Sequence, residues 1–236
     1  MEQQQEIKQP PIYLFMLEFV RSMLERVQSW SFRRNYMPDR MGDGHPVLVI
    51  PGILAHDFQM EPMRRFLERL NYKTFPWELG FNLADTAEID ILEERVEKLM
   101  SAYGRKVTII GWSLGGIYGR DLARRRPELI RQVITLGSPF RGIAKPSRAS
   151  WIFYVLKGNI DELIDKDWLK TFEVPIDLLS TCIYSKTDGV LPWQYCLDPI
   201  EDQLHRNYEI QSSHLGLPQN IQALKIIAQN LPDNPD

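Results

Sequence analysis

The sequence predicts an α/β fold: a mostly parallel six-stranded sheet flanked by helices. Three observations carry that expectation. Strand-length apolar runs alternate with longer stretches of helical periodicity between residues 47 and 230, the order that a parallel sheet with right-handed crossovers requires. The runs Val47-Leu48-Val49-Ile50 and Val107-Thr108-Ile109-Ile110 are almost continuously apolar, as strands covered on both faces must be. Finally, Gly111-Trp112-Ser113-Leu114-Gly115 lies between the second of these runs and a helical stretch, Ile117 to Arg126.

Residues 1–11 are polar and end in Pro10-Pro11, so no element is expected there. From Ile12 the apolar positions Ile12, Phe15, Met16, Phe19, Val20, Met23, Leu24 and Val27 follow the i, i+3, i+4, i+7 spacing of an amphipathic helix over 12–27. Proline suits its first turn. Glu18, Arg21, Glu25 and Arg26 interrupt it short of the ~18 apolar residues of a membrane span. No small-residue cleavage site follows it, so it does not read as a signal peptide. Three roles stand open: covering a flank of the domain, which is the expectation; resting on a membrane surface, with Arg21, Arg26, Arg33, Arg34 and Arg40 as its basic residues; or dimerisation. Gly42-Asp43-Gly44 then separates this N-terminal part, residues 1–44, from a second domain, residues 45–236.

Within that domain the strands are expected at 47–50, 72–75, 107–110, 133–136, 178–184 and 207–210. Helices are expected at about 58–70, 88–103, 117–126 and 219–230. Residues 140–177 make an unusually long connection between two strands. They carry Trp151-Ile152-Phe153-Tyr154-Val155-Leu156 and a helix-like stretch from Asp161 to Phe172. The connection reads either as an apolar lid or cap over the strand ends or as an ordinary crossover helix.

The Gly-x-Ser-x-Gly string has the layout of a nucleophile elbow, because it joins a buried strand to a helix. A serine on so tight a turn occupies a sparsely populated backbone region, and side chains two positions away would collide with the turn. A serine hydroxyl also needs a base, and the base needs an orienting carboxylate. Downstream of Ser113, the strand at 178–184 runs into a loop containing Asp188, and the strand at 207–210 runs into a loop containing His214. Serine, acid and base therefore occur in one chain order, with the acid and base on loops after the last two strands. Asp198 and Asp202 compete with Asp188 but fall in the connector to the final strand. Among the other histidines, His205 precedes the final strand, His45 lies at the entry end of the first, and His56 is a candidate for the pocket mouth.

These pieces together resemble the α/β-hydrolase superfamily, of the lipase/esterase type, over roughly residues 45–230. The matching segments are Val49-Ile50-Pro51-Gly52-Ile53, Gly111-Trp112-Ser113-Leu114-Gly115-Gly116, Leu136-Gly137-Ser138-Pro139-Phe140-Arg141-Gly142, Thr187-Asp188-Gly189-Val190-Leu191-Pro192 and Ser213-His214-Leu215-Gly216-Leu217. One departure is Pro51-Gly52, where the family usually has histidine-glycine. The resemblance implies a serine esterase with Ser113 as nucleophile, His214 as base and Asp188 as orienting acid. The backbone N–H groups of Ile53 and Leu114 would form its oxyanion hole. It further implies hydrolysis of a carboxylic ester through an acyl-enzyme, on a small-molecule acyl ester or a lipid, with no cofactor. Substrate-binding residues are not assigned. The same triad would serve an acyltransferase or a thioesterase, and a non-catalytic binding protein on this fold is the remaining alternative.

Composition narrows the partners. Acids outnumber bases 31 to 28, and a net charge of −3 offers no footprint for nucleic acid. No cluster of cysteine and histidine shows zinc-ligand spacing. Cys182 and Cys196 are the only cysteines. Cys182, in a strand, behaves as a small hydrophobe, and the pair is read as reduced in a cytoplasmic protein, with a bridge between them as the alternative. A peripheral membrane position through residues 12–27 is the alternative to a freely cytoplasmic one.

Overall fold

The sheet is organised around β1 (Pro46–Ile50) and β3 (Val107–Trp112), both buried along their full length. Alternate residues of β1 turn to opposite faces: Val47 and Val49 enter one core, Leu48 and Ile50 the other. A computed structural model describes residues 7–85, 87–142, 171–172 and 174–233. Within it the six strands lie in the order β2-β1-β3-β4-β5-β6, every neighbouring pair parallel. The others are β2 (Lys73–Phe75), β4 (Ile130–Leu136), β5 (Leu179–Ser185) and β6 (His205–Ile210).

Helices cover both faces. α2 (Asp57–Arg69) and α5 (Ile221–Asn230) bury Met60, Met63, Phe66, Leu67, Leu224 and Ile227 on one side. α3 (Ala87–Tyr103) and α4 (Leu114–Arg125) bury Ile89, Leu92, Val96, Ile117 and Leu122 on the other. The six-stranded parallel architecture expected from the alternation is the one observed.

β4 and β6 begin three and two residues before their apolar runs, because polar residues at their starts find partners outside their own strands. In β4, buried Gln132 donates to the Leu231 carbonyl at 3.0 Å, and Arg131 meets Asp43 at 3.2 Å. In β6, His205 accepts a place in the ladder opposite Ser180 while its ring reaches Asp202 and the Ile176 carbonyl, each at 2.8 Å. Of the connection at 140–177, Phe140, Phe172 and Ile176 pack into the core beside α4. The lid or cap expected there lies outside the described residues.

The N-terminal helix departs most from its expectation. α1 runs from Ile12 to Asn35, eight residues past the expected end. Its far end is apolar against the core, with the rings of Phe32 and Tyr36 each 5.9 Å from Phe66. Along the rest, the buried residues are Glu18, Ser22 and Ser29. The apolar stripe, including Met16, Phe19, Val20, Met23 and Val27, is exposed. α1 lies with its polar side inward. Contacts from Glu18 and Glu25 to backbone amides of the loops beneath replace the hydrophobic contact that the periodicity suggested.

A buried ion pair fixes α4 to the connector between β5 and β6. Arg120, fully buried, donates to Asp198 at 2.7 and 3.0 Å and stacks 3.9 Å above the Phe140 ring. Burial alone would favour the neutral acid, yet Arg120 and Ser180 hold the Asp198 carboxyl below its usual range. Asp198→Ala would strand the guanidinium, and removing one partner of a buried pair costs about 3–5 kcal/mol. We therefore expect a urea midpoint lowered accordingly with little change in the denaturant slope; a change of less than about 1 kcal/mol would show that Arg120 is not held by this pair.

Candidate active site

Ser113 sits where β3 ends and α4 begins, with φ 52° and ψ −119°. A non-glycine residue rarely adopts this backbone, and it persists only where its surroundings over-determine it. Those surroundings are visible. A Cβ on Gly111 would strike the backbone of Gly116, and one on Gly115 would strike the carbonyls of Ile50 and Pro51. The Ser113 N–H is held by the Leu136 carbonyl at 2.8 Å. The turn thus wedges between β1, β3 and β4, and presents the hydroxyl at the carboxyl end of the sheet, where open α/β sheets place their ligands.

Two further loops converge there. Beyond β5, Asp188 is buried, and one carboxylate oxygen accepts from the amides of Val190 and Leu191 at 2.7 and 2.8 Å. Its other oxygen lies 2.6 Å from His214 Nδ1. Beyond β6, His214 is also buried, and its Nε2 lies 3.1 Å from Ser113 Oγ. With Nδ1–H donating to Asp188, the imidazole is left in the tautomer whose unprotonated Nε2 faces the Ser113 hydroxyl. Trp112 Nε1 donates to the His214 carbonyl at 3.1 Å, and Ser185 Oγ donates to the Ser212 carbonyl at 2.8 Å. Together these bonds lock the base loop onto β3 and β5.

Gly52 lies against Ser113: a Cβ there would meet Ser113 Cβ at 3.1 Å. Among the described residues, neither the Ile53 nor the Leu114 amide has an acceptor. Leu114 opens α4, where orphan amides and the positive end of the helix favour an anion. Buried Asn82 shapes the other side of this turn. It donates to the Pro51 carbonyl at 2.9 Å, and its backbone exchanges hydrogen bonds with Leu54 and Ala55 at 2.8 and 2.9 Å.

The competing residues have other partners. Asp198 belongs to the Arg120 pair and Asp202 holds the His205 ring. His45 spans Asp43 and Thr108, at 2.6 and 2.9 Å, at the opposite end of the sheet. His56 lies at the start of α2 between the rings of Phe58 and Phe81. Cys182 and Cys196 are both free and buried, and burial pushes the Cys182 thiol up to about 12.

Glu18 is the site residue that sequence reading missed. From α1 its carboxylate accepts from the amides of Gly189 at 2.8 Å, His214 at 3.0 Å and Leu215 at 3.0 Å. It therefore ties the acid loop to the base loop. Glu25, two turns on, accepts from the Ser213 amide and from the Ser212 and Ser213 hydroxyls at 2.8–3.1 Å. Arg21 donates to the Thr187 carbonyl at 2.7 Å. Gly189 permits the approach, since a Cβ there would collide with the α1 backbone at Leu14 and Phe15. A signal was available: Glu18, Ser22, Glu25 and Ser29 form a polar stripe at i, i+4, i+7 and i+11.

Burial alone would lower the His214 pKa, but the charge and hydrogen bond of Asp188, with a smaller contribution from Glu18, raise it above the ordinary 6.5. We expect the His214 imidazole to titrate above that value by NMR. Asp188→Asn removes the main offset and leaves burial, so the titration should fall below the wild-type value, and Glu18→Gln should lower it by less. An unchanged His214 titration in Asp188→Asn would contradict this account of the site.

No protein-family model matches the chain. A pimeloyl-[acyl-carrier protein] methyl ester esterase of Shewanella woodyi is 28% identical over 102 residues, which is 42% of this chain and 38% of that relative. Lipase B of Aspergillus fumigatus shares the architecture at 12% identity and a TM-score of 0.57, over 83% of this chain and 55% of that one. A mature-form lipase of Bacillus licheniformis does so at 14% identity and a TM-score of 0.59, over 84% of this chain and 96% of that one. The chain thus spans well under half of the curated relative's length and about half of the Aspergillus lipase's. At these identities the structural likeness is one of architecture, and it agrees with the strand order and the strained serine turn described above. The chain has the α/β-hydrolase fold.

Proposed function

We propose that the protein is a serine hydrolase that cleaves carboxylic esters through an acyl-enzyme, with Ser113, His214 and Asp188 as its triad. The observation that carries this reading is the continuous hydrogen-bond chain from Ser113 Oγ to His214 Nε2 (3.1 Å) and from His214 Nδ1 to Asp188 (2.6 Å). Ser113 Oγ attacks the ester carbonyl carbon while its proton passes to His214 Nε2. Asp188 stays ionised, keeps Nδ1–H oriented and stabilises the imidazolium. The oxyanion forms against the amides of Ile53 and Leu114. As the intermediate collapses, His214 returns the proton to the leaving alcohol, and the acyl group remains on Ser113. Water, deprotonated by His214, then attacks the acyl carbon, and the acid departs with Ser113 Oγ reprotonated. The cycle draws on no cofactor.

In this reading residues 45–236 form the catalytic domain and residues 1–44 an N-terminal arm whose helix braces it. The substrate is a small acyl ester, and the esterase and lipase names of the relatives support that class. Two reduced, buried thiols support a cytoplasmic setting. No helix among the described residues is long and apolar enough to cross a membrane.

A fluorophosphonate probe should label the protein on Ser113, and Ser113→Ala should abolish labelling and reduce kcat on p-nitrophenyl esters by several orders of magnitude in a folded protein. Undiminished labelling of that variant would move the nucleophile elsewhere. His214→Ala should approach the serine variant in severity, whereas His205→Ala, which removes only a buried structural ring, should spare kcat in whatever fraction folds. Asp188→Asn should fall between them. Because His214 must be neutral to act, kcat/KM should decline as pH falls through a value above 6.5.

A further inference from the structure

α1 presents to solvent the side that a surface helix normally buries. Met16 is 74% exposed, Val27 73%, Phe19 65% and Trp30 58%, with Val20 and Met23 between them. At 100° per residue, Met16, Val20, Met23 and Val27 form one stripe, opposite the buried Glu18, Ser22 and Ser29. Polar bonds to the catalytic loops fix which side faces out, so rotating the helix to hide the stripe would break the contacts of Glu18, Arg21 and Glu25 together. An apolar surface of this extent marks an interaction site.

Charge identifies the partner. Beside Trp30 a groove of about 390 Å³ opens between α1 and α2, lined by Arg26, Arg33, Arg34, Arg65 and Arg69 with a single acid, Glu61. Arg65 takes that acid at 2.6 Å. Among the described residues no carboxylate pairs with Arg26, Arg33, Arg34 or Arg69. Arg33 instead donates to Ser29, Arg69 to the Arg33 carbonyl, and Arg34 lies over the Trp30 ring. In a chain of net charge −3, this is a local cluster of uncompensated guanidinium groups along one border of an apolar stripe. A second copy of the same surface would bring like charges together. A bilayer bearing anionic headgroups supplies both an apolar phase for the stripe and phosphates for the arginines.

We propose that α1 docks the protein on an anionic lipid surface, with Met16, Val20, Met23 and Val27 entering the acyl–headgroup boundary and the arginine groove holding lipid phosphate. Because the same helix holds the loops of Asp188 and His214, docking brings the carboxyl end of the sheet near the bilayer. Binding is independent of turnover, so Ser113→Ala should bind as the wild type does, and the ester-hydrolase reading can fail without this one failing.

The test is cosedimentation of the full chain with vesicles of phosphatidylcholine containing phosphatidylglycerol, against vesicles of phosphatidylcholine alone. Binding should need the anionic lipid and weaken as salt rises. The pair Arg26→Gln and Arg34→Gln should weaken partitioning by about fivefold for each charge removed. Val27→Glu and, separately, Met16→Glu should abolish it while leaving turnover of short soluble esters unchanged. Where either glutamate variant loses its fold by circular dichroism, the other decides. Wild-type protein that stays in the supernatant, or folded glutamate variants that bind undiminished, would overturn the proposal. So would a dimer seen by light scattering that Val27→Glu dissolves in a protein that ignores vesicles, since a second copy would then be the occupant.

Discussion

The strained turn at Ser113 is the constraint on which the rest of the site depends. Its positive φ is tolerated because β1, β3 and β4 leave no room for the turn to relax: Gly111 and Gly115 already touch neighbouring backbone. That crowding requires a parallel sheet in tight register and a helix that starts immediately after the serine. It also decides the chemistry. A hydroxyl at the strand end is reached by a loop from β6, and the next residue opens α4. In the proposed reading, the oxygen nucleophile and an anion-stabilising amide would thereby sit on adjacent residues without any side chain having to be positioned for the second task.

Around that fixed point the loops of Asp188 and His214 are held from beneath and from outside. Beneath, Ser185, at the end of β5, and Trp112, at the end of β3, bind carbonyls of the base loop. Outside, Glu18 accepts amides from both loops at once. The arrangement carries an electrostatic consequence. His214 has Asp188 as its direct partner and a second carboxylate bonded to its own backbone amide, both of which favour the imidazolium over the neutral ring. Positioning and charge stabilisation come from the same contacts, so neither can be weakened alone by loosening α1.

Much of the fold was legible because strand runs and helix periods agreed with one another, and the three candidate catalytic residues were legible because chain order and loop position singled them out. Asp188 could be preferred to Asp198 on position alone; the physical reason, that Asp198 is consumed by Arg120, needed three dimensions. The polar starts of β4 and β6 were hidden because Arg131, Gln132 and His205 find partners outside their own strands. Asn82, which shapes the turn beside Gly52, carried no signal, since a buried asparagine in a loop looks like any other loop asparagine.

The misjudged direction of α1 has a more general cause. Amphipathic spacing identifies that a helix has two faces, but the rule that the apolar face turns inward assumes water on the other side. Here the inward face is chosen by the backbone amides that Glu18 pairs, those of Gly189 and His214 buried and that of Leu215 partly so. Leaving such donors unsatisfied costs on the order of 1–3 kcal/mol each, comparable to what burying one or two of the exposed aliphatic side chains would return. Satisfying the amides of Gly189, His214 and Leu215 therefore competes on equal terms with burying the stripe. The contacts of Glu25 and Arg21 then tip the balance toward the polar side. The exposed stripe follows from how the active-site loops are held, which makes the surface that faces outward a consequence of the chemistry within.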